Sequence, residues 1–188
     1  MADTLVVGLH SWIIQDGNYG DFARDTNAAF ALEFYASVPL EVFEPNPTTV
    51  PALARIRDAD YEVVGQVTHV MHDWWVVDVG VLVFWKGDRP ATVRTGSWWR
   101  GKISIGIDPF FYFEELHARP KMPKLQSGWR IKSIVLETIP WLSTKNENGG
   151  NTLTRNGSKR TFKEVAETHA WDDDEGRGEY VLECERIA

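Results

Sequence analysis

The sequence predicts a mostly β protein: a single curved antiparallel sheet closing into a small barrel, OB-like in strand number, with one or two short helices. Three observations predict it. Apolar residues recur at a period of two along much of the chain, the spacing of half-buried strands. Gly65, Gly80, Gly101 and Gly106 fall inside those patterns, as at the bulges and bends of a strongly curved sheet. Nine tryptophans in 188 residues supply large rings that brace a sheet or line a groove.

The elements follow in order. Leu5, Val7, Leu9 and Ser11 alternate with Val6, Gly8, His10 and Trp12, and Ile13-Ile14 lead into a turn at Asp16-Gly17. Phe30, Leu32 and Phe34 alternate with Ala31, Glu33 and Tyr35. Asn46 to Pro51 reads as an extended linker. Tyr61, Val63, Gly65 and Val67 form the next alternation, broken at His72-Asp73. Trp74 to Trp85 is apolar on both faces apart from Asp78, which predicts a strand covered on both sides. A turn over 86–90 precedes strands at Trp98–Ile107, Trp129–Ile139 and Glu179–Ile187. Pro109 to His117 predicts one short helix, with Asp108 as its cap, Pro109 in its first position and Pro120 as its stop. Thr161-Phe162-Lys163-Glu164 has the spacing of a capping box and predicts a second helix to about His169. Residues 1–142 are thus the expected barrel core and 143–160 a flexible polar loop or hairpin. Residues 161–188 add a helix and a final strand to the same domain.

Composition narrows the class. A hydrophobic share of 43% with 25% charged residues suits a folded domain. No apolar run reaches membrane-spanning length. Met1-Ala2-Asp3-Thr4 shows no basic-then-apolar leader, so the expected location is cytoplasmic, away from membranes. A single cysteine rules out an intramolecular disulfide and a Cys-rich zinc site. Cys184 alternates with Leu182 and Tyr180, which predicts a buried, inert thiol. No G-x-S-x-G, P-loop or G-x-G-x-x-G motif is present, and nothing calls for a cofactor.

The net charge of −7 is unevenly spread. From Thr161 to the end stand nine acids against three bases, whereas Asp88 to Leu136 holds nine bases against four acids. Period two puts Trp98, Arg100 and Lys102 on one strand face, and Arg130 and Lys132 on one face of another. If the two strands are neighbours, the four cations share a face beside Trp98. Alternating rings and cations hold single-stranded nucleic acid or a small anion. The overall acidity disfavours nucleic acid. The plainer readings are a solvated strand face, or a face on which the acidic tail lies.

Candidate chemistry is sparse. Asp78 in an apolar strand needs a partner, and burial would raise its pKa. His10 would meet it across the barrel, giving an acid–base pair bordered by Trp12. Glu114 and His117, three apart, would share a helix face as a carboxylate–imidazole pair, or His117 would simply sit at the negative end of the helix. His69 and His72 face opposite sides of a strand, so no metal site is expected. Asp172-Asp173-Asp174-Glu175 lacks the alternating ligands of an EF-hand and reads as a solvated turn.

These observations predict a non-enzymatic binding domain with a Trp-lined, partly basic groove. Trp12, Trp74, Trp75, Trp98, Trp99, Arg100, Lys102, Arg130 and Lys132 form its expected contact surface, for an anionic or aromatic small molecule or a peptide segment. Two alternatives stand beside it. One is a cofactor-independent enzyme using Asp78, His10, Glu114 and His117 on a small molecule inside the barrel. The other is an acidic protein-interaction module acting through the tail from Asp172 to Glu185. Exposed tryptophans would also serve a homo-oligomer surface.

Overall fold

In the computed structural model, residues 4–87, 90–145 and 150–187 are described. The chain runs β1 (Thr4–His10), α1 (Ser11–Gln15), β2 (Asn27–Phe30), β3 (Leu32–Tyr35), β4 (Glu41–Phe43), β5 (Ala52–Arg57), β6 (Asp60–Val70), β7 (Trp74–Asp78) and β8 (Leu82–Lys86). It continues with β9 (Trp98–Ile107), a π-helical turn (Phe111–Leu116), β10 (Ser127–Thr138), β11 (Trp141–Lys145), β12 (Asn151–Arg155), β13 (Thr161–Val165) and β14 (Glu179–Arg186). The main sheet has the order β13-β10-β14-β1-β9-β3-β8-β7-β6-β5, with β2 beside β10 and β4 beside β9. β6 also pairs with β9, so β9, β3, β8, β7 and β6 close into a five-stranded barrel. The mostly β barrel read from the sequence is therefore observed. The sheet is not purely antiparallel, because β3–β8 and β1–β9 each meet in a parallel bridge.

Alternation explains the barrel. Val63 and Val67 of β6, Val77 of β7, Val83 of β8, Phe34 of β3 and Ile103 of β9 are all buried in the main core. A Cβ on Gly65 would lie 2.5 Å from Val77 Cγ1 and 2.8 Å from Val79 Cγ1, so only glycine lets the walls approach there. The void left inside is about 10 Å³, at the limit for one water. The barrel is filled. Beyond it, β1, β14 and β10 turn Val7, Leu9, Ile131, Ile134, Leu182 and Cys184 into the same core. A smaller cluster of Ala31, Trp74, Val76 and Phe84 lies under Tyr112, Leu116 and Leu125.

Several elements differ from the sequence reading, each for a local reason. Trp74–Trp85 is a hairpin rather than one strand. Gly80 turns at φ +97, and Asp78 Oδ1 accepts its N–H at 2.8 Å. Thr161–Val165 is a strand, not a helix, because Ile134–Thr138 of β10 offers it an antiparallel partner. Its Thr161, Phe162 and Val165 suit a pleated surface, so pairing overrides the capping-box signal. Residues 11–15 leave the first strand for a short helix. The expected helix at Pro109–His117 starts later and closes as a π turn, with His117 N–H donating to Tyr112 O at 2.8 Å. Its N-cap is Phe110 rather than the expected Asp108, although Asp108 accepts the Tyr112 N–H at 3.0 Å from just before the turn. Residues 143–160 contain most of a β11–β12 hairpin separate from the main sheet. Parts of that loop (146–149) and of the turn at 86–90 (Asp88, Arg89) lie outside the described residues. No helix among the described residues is long and apolar enough to cross a membrane.

Candidate functional site

The aromatic residues converge at one end of the barrel. Phe34, Trp75 and Trp99 are each almost fully buried and form the floor of a pocket of about 310 Å³. Trp75 meets Phe34 edge-on at 5.1 Å between centroids and Trp99 at 5.1 Å with a 45° tilt. Trp85, half-buried, stands 5.6 Å from Phe34. Such edge and tilted contacts bring the ring quadrupoles into favourable arrangements. The wall opposite is the segment Ala36-Ser37-Val38-Pro39-Leu40, with Pro90 at the rim. Leu40 reaches in because Gly101, at φ +153, has no Cβ, which would otherwise sit 2.7 Å from Leu40 Cδ2. Among the described residues, no charged side chain lines this pocket.

The indole N–H groups divide. Trp99 Nε1 donates to Ser97 Oγ at 3.2 Å, whereas buried Trp75 Nε1 has no acceptor among the described residues. A buried donor without a partner costs free energy.

The expected basic face does not assemble. β1 and β14 separate β9 from β10, so Arg100 and Lys102 are not neighbours of Arg130 and Lys132. Three of these four cations lie against acids. Arg100 donates to both carboxylate oxygens of Glu41 at 2.6 and 2.9 Å, which holds the exposed Glu41 carboxyl below its usual range. Arg130 lies 3.7 Å from Asp25, and Lys132 lies 3.6 Å from Glu185 on the acidic terminal strand. Lys102 borders a polar cleft with Asp60 and Ser104.

Of the expected tryptophans, Trp75 and Trp99 enter the pocket. Trp74 is buried on the opposite face of β7, beneath the π turn. Trp12 is 47% exposed and touches Phe110 edge-on, and Trp98 packs on Phe43 outside the barrel. The acid–base candidates are dispersed. Asp78 shapes its own turn, and exposed His10 faces Glu179 at 3.9 Å. Glu114 accepts from Asn18 Nδ2 at 3.3 Å, whereas His117 Nδ1 lies 3.2 Å from the Tyr112 carbonyl. Widening to a π turn removes the three-residue facing that an α-helix would give them. Within the acidic turn, Asp173 accepts from Tyr180 at 2.8 Å and Asp174 pairs with Arg155 at 3.1 Å. Cys184 is buried as expected, and burial pushes its thiol up to about 12.

Sequence reasoning missed the buried acids that matter most electrostatically. Glu33 is buried in β3, and burial, then the Asp108 carboxyl, pushes its pKa up to about 8. Tyr35 donates its hydroxyl to Glu33. Burial also pushes Asp108 up to about 6, against the backbone N–H groups of Tyr112, Phe111 and Phe110. The signal was present: Glu33 interrupts an apolar run, as Asp78 does. Asp78 sits beside a glycine turn and reaches its own backbone, whereas Glu33 is held in mid-strand. Among the described residues, no group of three His, Cys, Asp or Glu side chains is placed to hold a metal ion. Comparison of the chain with models of protein families, with curated proteins and with solved structures returns no match.

Proposed function

We propose that the protein is a binding domain whose aromatic pocket takes an uncharged, largely apolar molecule. The observation that carries this is a concavity floored by Phe34, Trp75 and Trp99 and walled by Trp85, with no charged side chain in its described lining. Aromatic walls with few polar groups are the usual make-up of a small-molecule site. Its volume of about 310 Å³ is roughly twice the ~150 Å³ that accommodates benzene in an apolar cavity, which favours a two-ring body. The anionic preference read from the sequence moves away from this pocket, because Arg100, Arg130 and Lys132 are engaged with acids elsewhere. An acid–base enzyme is supported less. Its four named residues do not meet, and neither Glu33 nor Asp108 lines this pocket.

Calorimetry with three probes tests the reading: 2-acetylnaphthalene, naphthalene and 2-naphthoate. The ketone and the hydrocarbon are expected to bind, and the carboxylate to bind worst. In Trp85→Leu both neutral probes should weaken. Tightest binding of the carboxylate, or no binding of any probe by the folded protein, would overturn the proposal.

A further inference from the structure

A second concavity opens at the other end of the barrel. Val79, Gly80 and Val81 of the β7–β8 turn form one wall, Pro51, Ala52 and Leu53 another, and Leu5 and Trp129 the floor. Its volume is about 290 Å³. Val79 also borders the packed barrel interior, as Phe34, Leu40 and Trp99 do from the aromatic side. The filled barrel separates the two sites.

One cation enters this lining, Arg186. Its position follows from alternation. Leu182 and Cys184 are fully buried, so the next residue on that face of β14, two further on, is aimed to the same side. Arg186 stands opposite Trp129 in the β10–β14 ladder, and cross-strand partners share a face. The acids of β14, Glu179, Glu183 and Glu185, fall on the other face, where Glu185 meets Lys132 at 3.6 Å. Arg186 is exposed and, unlike Arg100, Arg130 and Arg160, has no ion pair among the described residues. Trp129, stacked on Phe30 at 5.7 Å, is buried with an indole N–H that has no acceptor among the described residues.

We infer that this second site binds an amphipathic monocarboxylate. Its hydrocarbon body lies on Leu5, Leu53, Val79 and Val81, and its carboxylate is held by the Arg186 guanidinium. Apolar walls alone would accept any oil. The unpaired guanidinium at the rim selects a planar two-oxygen anion, which it binds with two parallel N–H donors. The Asn46 side-chain turn, with Thr48 N–H donating to Asn46 Oδ1 at 3.0 Å, fixes the loop that delivers Pro51. Asp78 fixes the facing turn through Gly80. Both walls are therefore held before any ligand arrives. The inference does not depend on the aromatic pocket being occupied.

The test uses the full chain with octanoate and octan-1-ol, followed by calorimetry and by the indole N–H resonances in amide-correlation spectra. Octanoate is expected to bind saturably and to move the Trp129 indole signal while leaving that of Trp75 in place. Octan-1-ol should bind at least about fivefold more weakly. Arg186→Gln is exposed enough to fold normally and should weaken octanoate about tenfold, to the level of the alcohol. Arg186→Lys, which keeps the charge but loses the fork, should recover part of the loss. Equal binding of acid and alcohol, octanoate binding untouched by Arg186→Gln, shifts at Trp75 instead of Trp129, or no binding at all would each overturn the inference.

Discussion

The barrel has two mouths made from similar material that present different chemistry. At one, Phe34, Trp75, Trp85 and Trp99 meet a rim of Ala, Ser, Val, Pro and Leu, with no charge in the described lining. At the other, aliphatic residues and Trp129 meet a single arginine that has no ion pair among the described residues. Their volumes are nearly equal, about 310 and 290 Å³, so size does not set them apart. Charge placement does. Arg100 lies on the outer face of β9, where Glu41 reaches it, whereas Arg186 falls on the core-facing row of β14 beyond the last buried residue. The two arginines show that a cation's meaning depends on which face of its strand it occupies, not on local net charge.

Closing the space between the mouths should have the largest effect. Gly65→Val forces atoms into the Val77 and Val79 methyl groups and should cost about 3 kcal/mol, read as a lower denaturant midpoint, with both mouths losing their ligands. An unchanged midpoint would mean that the barrel wall yields at this point. The buried acid of β3 comes next. Because the Glu33 pKa is raised from 4.5 to about 8 on folding, its protonated form is favoured in the native protein. Its contribution is complete below pH 4.5 and is lost as pH rises through about 8. Glu33→Gln should therefore match the parent in acid and exceed it above that range, which chemical denaturation at a series of pH values would read. Identical pH profiles would show that Tyr35 and solvent accommodate the charge.

Ligand effects are smaller. Trp85→Leu should weaken 2-acetylnaphthalene about tenfold, near 1.4 kcal/mol, without changing octanoate affinity. Added sodium chloride separates the mouths without mutation, because screening should weaken octanoate and leave the neutral ketone unaffected. Equal salt responses would erase the contrast. Least in size, Asp78→Ala removes the acceptor for Gly80 N–H and should cost about 1 kcal/mol of stability, with octanoate weakened and the ketone unchanged.

Much of this was legible before the fold was known. The alternations at Tyr61–Val67, Trp98–Ile107 and Glu179–Ile187 become β6, β9 and β14, because burial of one face imposes period two. Gly65 does mark a close approach of barrel walls. Of the nine expected contact residues, Trp75 and Trp99 line the aromatic pocket, while Trp74 differs by one residue and so faces the other way. Arg186 carried a readable signal in the row Tyr180, Leu182, Cys184, Arg186, but the surrounding acids masked it. The strand at 161–165 was not legible, because its helix signals are local and its partner lies in β10.

The sequence by itself determined which residues can share a face, since side-chain alternation is a property of the backbone and needs no neighbour. From that came the β class, the buried thiol and a ring-rich concavity. Only the tertiary structure decided which strands lie side by side, because that depends on contacts between residues far apart in the chain. Placing β1 and β14 between β9 and β10 split the expected basic face. Closing β6 onto β9 turned the aromatic rows into a pocket. Ending β14 one step past its buried row left Arg186 at the opposite mouth, facing apolar walls with no acid in the described lining.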